Sequence, residues 1–294
     1  MIEQQKKLLI ATHLRKFALF KILALRSICS KKKLGEEAKI CKTFWAKELK
    51  GIPGDIVSEL IQRTGFFEEN LCEALINFLS PGMCFIDIGA HIGFHSLLAA
   101  HLVKENGCVF AMEPCRETFK TLKENCLVSK NITALEAAAW SSNQIKLLNV
   151  FSKDLSAFNS FYEPRMPSRI TVKRIPRATF VRSISIDYLV AEYKLTPDFI
   201  KIDAESSESE IIKGMTETLE KFRPIISLEV GDHQLPGVSS SASLIQQMLE
   251  LEYQAYEIQD RHLTKHEIRD KYSYDNLIFI HKARYNSISN KKLV

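Results

Sequence analysis

The 294-residue chain lacks most of the features that would place it in a specialised class. Its seven cysteines form no Cys-x-x-Cys pair, which removes zinc knuckles and disulfide-stapled scaffolds and fits reduced thiols in a cytoplasmic protein. No apolar run approaches the roughly 18 residues of a membrane span, and no signal-peptide pattern follows the N-terminus. There is no internal repeat and no low-complexity tract. Hydrophobic residues make up 46% and charged residues 26%, as in an ordinary packed domain. The net charge of +5 is unevenly placed: residues 1–50 carry 13 of the 40 Lys/Arg and only 4 of the 35 Asp/Glu. The remainder is therefore slightly acidic, whereas a nucleic-acid enzyme would carry its basic surface around its site, so no nucleic-acid partner is expected.

The informative stretch is Phe85-Ile-Asp-Ile-Gly-Ala-His-Ile-Gly93. An apolar run ending in Asp87, followed by two glycines four apart, reads as strand, tight turn and helix start. Glycine lets a ligand approach the backbone, and the helix amides face its charged end. Twenty residues after Gly93 a second apolar run ends in Glu113, the offset expected of an acid that accepts ribose hydroxyls. A nicotinamide dinucleotide would require Gly-x-Gly-x-x-Gly, but His91 stands in place of the second glycine and Asp87 would repel a pyrophosphate. The same Asp suits a cationic amine and a sulfonium, the charges of S-adenosylmethionine. A plain strand-to-helix turn with an incidental glycine pair is the competing reading of the loop.

From residue 83 strand and helix patterns alternate. Strands are expected at 84–88, 108–112, 132–138, 198–203, 224–230, 254–259 and 275–281, and helices at 93–103, 115–129, 208–221 and 241–251. This predicts an α/β, doubly wound, mostly parallel seven-stranded sheet of Rossmann-like type with one reversed strand. Residues 140–190 break the rhythm with β-like runs at 145–151 and 169–175, a β-rich insertion able to reach over the ligand edge. A helix is expected from Gly65 through Leu79. The body spans 46–285, preceded by a basic amphipathic segment 1–45 and followed by a polar tail 286–294. Residues 5–33 have two readings, peripheral contact with an anionic membrane surface or packing on the domain.

Phe199-Ile-Lys-Ile-Asp203-Ala-Glu205 delivers two acids to a strand end, and Ile225-Ile-Ser-Leu-Glu229 a third. In this topology the fourth strand lies beside the first, so these acids border the donor. A carboxylate can take a proton from an alcohol, and two can hold a divalent metal that acidifies it. Helix capping by acids at 203–208 is the plain alternative. Asp203 is the first candidate for acceptor-side chemistry, followed by Glu205 and Glu229. His91 and His95 read as wall residues, with no metal assigned, because no third ligand accompanies them at suitable spacing.

With these segments in view, the chain resembles the FkbM-type S-adenosylmethionine-dependent methyltransferases over roughly residues 65–232. The matching pieces are the Asp87–Gly93 loop, Val109-Phe-Ala-Met-Glu113-Pro, Ala137-Ala-Ala-Trp-Ser141, Ser185-Ile-Asp187, Ile200-Lys-Ile-Asp203-Ala-Glu205, Ile212-Lys-Gly214 and Arg223-Pro-Ile-Ile-Ser-Leu-Glu229. The resemblance implies a class I methyltransferase fold and methyl transfer, most often to a hydroxyl of a glycan, polyketide or similar small metabolite. It gives Asp87, Gly89, Ala90, His91 and Gly93 the cofactor-loop role and Glu113 the ribose role. Glu136, Ala137 and Ala138 would flank the adenine. Two departures stand out. His91 replaces a commoner Asn, and Ser206 replaces a glycine after the acidic segment, where a positive φ would strain it. A non-catalytic S-adenosylmethionine-binding module docked by the basic N-terminus is the alternative that Ser206 keeps open. A base N-methyltransferase is disfavoured because Asp203-Ala-Glu-Ser replaces its Asn/Asp-Pro-Pro-aromatic turn.

Overall fold

The computed structural model describes residues 40–162, 176–232, 235–259 and 262–288. The basic segment 5–33 and the strand expected at 169–175 lie outside these residues.

Cys84–Ile88 (β3) is buried at every position, as is Phe199–Ile202 (β9), because helices cover both faces of a parallel sheet. Two short strands, Ile40–Lys42 (β1) and Glu48–Lys50 (β2), form a hairpin ahead of helices Ile56–Thr64 (α1) and Glu69–Phe78 (α2). After β3 come α3 (Phe94–Val103), β4 (Cys108–Met112), α4 (Arg116–Cys126) and β5 (Ile132–Leu135). A second sheet follows, made of β6 (Ala138–Ala139), β7 (Gln144–Val150) and β8 (Arg177–Ile184), with the short 3₁₀ helix Lys153–Phe158 after β7. The chain continues through α5 (Ile186–Glu192), β9, α6 (Glu208–Lys213), α7 (Thr216–Phe222), β10 (Ile225–Val230), α8 (Ser241–Glu250), β11 (Tyr253–Gln259), β12 (His262–Lys265), β13 (Asp275–His281) and α9 (Lys282–Ile288).

The main sheet runs β12-β11-β13-β10-β9-β3-β4-β5. It has eight strands, which corrects the expectation of seven, and two of them, β12 and β13, run against the rest. The extra strand is a four-residue edge strand, His-Leu-Thr-Lys, with no buried position among its residues. It therefore lacks the apolar run by which the others were recognised. Parallel pairing aligns Ile88 with both Met112 and Ile202, so the carboxyl ends of β3, β4 and β9 meet at one edge. That edge carries Asp87, Glu113 and Asp203, the place where doubly wound sheets bind ligands.

The expected single helix at 208–221 is two, α6 and α7, broken at Gly214–Met215. A Cβ on Gly214 would lie 2.1 Å from the Trp140 carbonyl oxygen, so the second sheet presses on this break. Asp187 caps the restart, its carboxylate accepting from the amides of Glu217 (3.2 Å) and Thr218 (2.8 Å). The Ser185-Ile-Asp187 segment thus has a structural use, with Ser185 capping α5. The expected helix at 65–79 begins later, at Glu69, because Gly65 ends α1 in the left-handed region at φ 76°. Phe78 of α2 lies 6.5 Å from Phe199, which lies 5.7 Å from Phe85, ring centre to ring centre. Burying each such ring contributes on the order of 1.5–3 kcal/mol. These rings anchor the far end of α2 to the sheet, and Glu68, just before its start, adopts φ 50°.

Candidate active site

The turn after β3 wraps around Gly89, whose φ is +74° and whose missing Cβ would fall 1.8 Å from the Asp203 carbonyl oxygen. Only glycine allows the cofactor loop and the tip of β9 to approach this closely. The next residues close over Glu113. Its carboxylate accepts from the His91 amide at 3.1 Å and from the Cys115 amide at 2.9 Å. Burial outweighs these two bonds and pushes the Glu113 carboxyl up to about 8. The folded chain therefore holds a proton that the unfolded chain releases near 4.5. Stability from this group is present at low pH and is lost as pH rises from about 4.5 to about 8. Glu113→Gln is expected to flatten that decline in the thermal midpoint. A decline as steep as in the unaltered chain would mean that Glu113 is not the group responsible.

A cavity of about 240 Å³ opens at this edge. Its wall includes Gly89, Ala90, His91, Glu113, Ala137 and Ala138 of the expected cofactor residues, and Asp203, Glu205 and Glu229 of the expected acceptor side. Three expected residues stand off the wall. Gly93 packs on α4, where its Cβ would meet Leu122 at 2.7 Å. Glu136 is exposed. Asp87 is fully buried behind the loop. One of its oxygens accepts from the Ser96 hydroxyl at 2.6 Å, and the other lies 3.3 Å from Lys201 Nζ.

Lys201 is the largest electrostatic feature that sequence reading missed. Its side chain is 2% exposed, and its ammonium lies 3.1 Å from Asp203 Oδ2 as well as against Asp87. It donates to the carbonyls of Ile88 and Gly89 at 3.4 and 3.1 Å. Burial opposes its charge, but Asp203, Asp87 and Glu68 outweigh burial and hold it protonated. Burial likewise opposes the charge on Asp203, and Lys201 outweighs it, so Asp203 stays below the ordinary carboxylate range. Asp203, Glu205 and Glu229 bring carboxylate oxygens within 4.8 Å of one another, and Lys201 is set against the first of them.

Two further groups complete the wall. The segment Ser156-Ala-Phe-Asn-Ser-Phe161, from the region after β7, lines the cavity. His91 Nε2 lies 2.8 Å from Ser156 Oγ, which donates to Asp55 Oδ1 at 3.0 Å, tying the cofactor loop, this segment and α1 together. The wall also includes His95 and Tyr274. Burial lowers His95 to about 4, so its ring is neutral. Ser206 has φ +81° and is buried, its amide reaching Glu208 Oε1 at 3.3 Å. The left-handed turn of the expected glycine is therefore kept with a serine.

An adenosyl sulfonium fits this arrangement. Ile88, Met112, Ala137, Ala138, Ala139 and Leu148 supply apolar wall, Glu113 lies on it where a ribose diol can reach, and the acids of the same wall suit positive charge. A curated relative, the hexuronic acid methyltransferase AglP of Haloferax volcanii, is 29% identical over 161 residues, which cover 54% of this chain and 61% of that protein. Among solved structures, methyltransferase FkbM from Methylobacillus flagellatus KT is 18% identical, with a TM-score of 0.43, over 68% of this chain and 44% of that one. Fibrillarin from Aeropyrum pernix with S-adenosyl-L-methionine bound is 8% identical, with a TM-score of 0.42, over 86% of each. The family model described as the methyltransferase FkbM domain matches residues 87–258, more than half of the chain. The chain belongs to the FkbM methyltransferase family, and its cofactor is S-adenosylmethionine.

Proposed function

We propose that the protein methylates a hydroxyl group on a glycan or similar small metabolite, with Asp203 assisting deprotonation of the acceptor. The observation that carries this reading is the sharing of one cavity wall by the Gly89–Glu113 cradle and the carboxylates of Asp203, Glu205 and Glu229. When bound, S-adenosylmethionine supplies a methyl group activated on a sulfonium. Gly89, Ala90 and His91 would border it, Glu113 would accept its ribose hydroxyls, and Ala137 and Ala138 would flank its adenine. The chain's remaining task is to place an acceptor oxygen and lower the cost of removing its proton. Asp203, ionised at the end of β9, sets a negative charge beside that hydroxyl and so offsets the positive charge its oxygen gains as it takes the methyl group and loses its proton. The segment 156–161 covers the cavity from the other side and is well placed to select the acceptor. The glycan class is supported by the curated relative named for a hexuronic acid substrate, of which this chain covers about three-fifths.

Titration calorimetry with S-adenosylmethionine and S-adenosylhomocysteine, followed by methyl transfer to a panel of hydroxylated glycosides, tests the reading. Asp203→Asn is expected to retain cofactor binding while lowering turnover by roughly 10²–10⁴-fold, the usual contribution of a positioned acid–base group. Equal turnover in that variant would move the chemistry away from Asp203. Cofactor binding with no transfer to any acceptor would instead favour a binding module.

A further inference from the structure

Methylating an alcohol leaves a proton to be placed. Asp203 is a poor final holder for it, because the buried Lys201 ammonium 3.1 Å away stabilises its ionised form. A second carboxylate stands nearby and feels the same ammonium from farther off than Asp203 does. Glu68, at the start of α2, has a side chain 7% exposed, and the Nε2 of the neutral His95 lies 3.7 Å from its Oε2. Its other oxygen, Oε1, accepts from Asn276 Nδ2 at 2.6 Å and from the Tyr274 hydroxyl. Tyr274 itself lines the cavity.

We propose that Glu68, reached through Tyr274, receives the proton that leaves the acceptor hydroxyl. The inference rests on the hydroxyl-methylation reading above. In this step the acceptor O–H bond breaks and its proton passes to the Tyr274 oxygen as Tyr274's own proton passes to Glu68. Tyr274 ends neutral and Glu68 ends as a carboxylic acid. The oxygen's electron pair forms the new bond to the methyl carbon, and the C–S bonding pair stays on the donor sulfur, which becomes a neutral thioether. Charge balances: a sulfonium and a carboxylate are consumed together.

The surroundings favour this destination. Burial, with the Asp203 charge adding to it, pushes Glu68 up to about 7, against the opposing effects of Lys201, Tyr274 and Asn276. His95 bonds the Phe67 backbone while its buried Nε2 makes no hydrogen bond. That nitrogen therefore offers a lone pair to a protonated Glu68. Cys72, on Glu68's own helix, is a thiol that burial keeps protonated, so it adds no charge. Desolvation of the phenol, then the charges of Glu68, Glu229 and Asp203, keep Tyr274 in the neutral form needed to pass a proton, although the residue as a whole is 56% exposed. Glu68, Tyr274 and Asn276 all lie outside residues 87–258, so membership of the family does not supply them.

The test is a carboxyl ¹³C NMR titration of the full chain labelled at glutamate, with S-adenosylhomocysteine bound and Glu68 assigned by its loss in Glu68→Gln. Glu68 is expected to titrate near 7 and to move higher in Tyr274→Phe, which removes a bond to the ionised form. Titration in the ordinary range of about 4–5 overturns the proposal, with or without turnover. In parallel, methyl transfer to methyl β-glucoside and methyl β-glucuronide is followed against pH. Glu68→Gln is expected to lower kcat by about 10²-fold or more, to leave S-adenosylhomocysteine affinity unchanged and to abolish the limb near neutral pH. Glu68→Asp should restore part of the rate. An unaltered profile in Glu68→Gln also overturns it. If the unaltered protein methylates neither glycoside, the glycan reading fails and the titration alone decides Glu68.

Discussion

Lys201→Met is expected to destabilise the fold by about 3–5 kcal/mol, the usual cost of leaving a buried charge without its partner. Methionine keeps the length and apolar stem of lysine, so packing changes little. What is lost is the single ammonium against both Asp87 and Asp203, at 3.3 and 3.1 Å, together with its bonds to the carbonyls of Ile88 and Gly89. Against a total stability of about 5–15 kcal/mol this is a large fraction. Urea unfolding followed by circular dichroism measures it. Adding Asp203→Asn to Lys201→Met should recover part of the loss, because one uncompensated carboxylate is then removed. A loss under about 1 kcal/mol would show that desolvating the ammonium cancels its attraction to the acids, and that the lysine serves the site and not the fold.

Gly89→Ala is expected to reduce S-adenosylhomocysteine affinity by about 10²-fold, the scale of a 1 Å displacement of positioning groups. The added methyl meets backbone, the Asp203 carbonyl oxygen at 1.8 Å, and neither strand end can yield without moving the loop. The left-handed backbone adds about 1–2 kcal/mol. Gly93→Ala is the internal control. Its φ of +88° imposes similar strain, but its methyl meets only the end of the Leu122 side chain, which can rotate away. Calorimetry should therefore find Gly93→Ala within a few-fold of the unaltered chain. Equal losses in the two variants would mean that backbone strain, and not the close approach to β9, governs binding.

These two residues mark how far the sequence could be read. Gly89 was legible because its signal is local: an apolar strand, a glycine pair and a helix start within nine residues. Glu113 was legible by its offset, and Asp203, Glu205 and Glu229 by ending apolar runs. Lys201 lies inside the same segment but was passed over. A lysine between isoleucines in a strand suggests an outward face, and only the pairing of β9 between β3 and β10 buries it. Asp87 was read as facing a ligand, whereas the lysine and Ser96 hold it behind the loop. Glu68 and Tyr274 meet across 206 residues of chain, and no local pattern announces such a contact. The eighth strand and the break at Gly214 escaped for a related reason. Each is imposed by a neighbour, β11 in one case and the Trp140 carbonyl in the other, and not by its own composition.

The position of β13 has a consequence for how the protein is made. This strand follows β10 and β11 in the chain, yet lies between them and pairs with both. Until residues 275–281 leave the ribosome, β10 and β11 have no common partner, and each presents an open strand edge of the kind that recruits other chains. Synthesis must therefore pass residue 281 before the sheet can close. A version trimmed after residue 258, the end of the family match, would lose β13 from between β10 and β11 and should be recovered as aggregate.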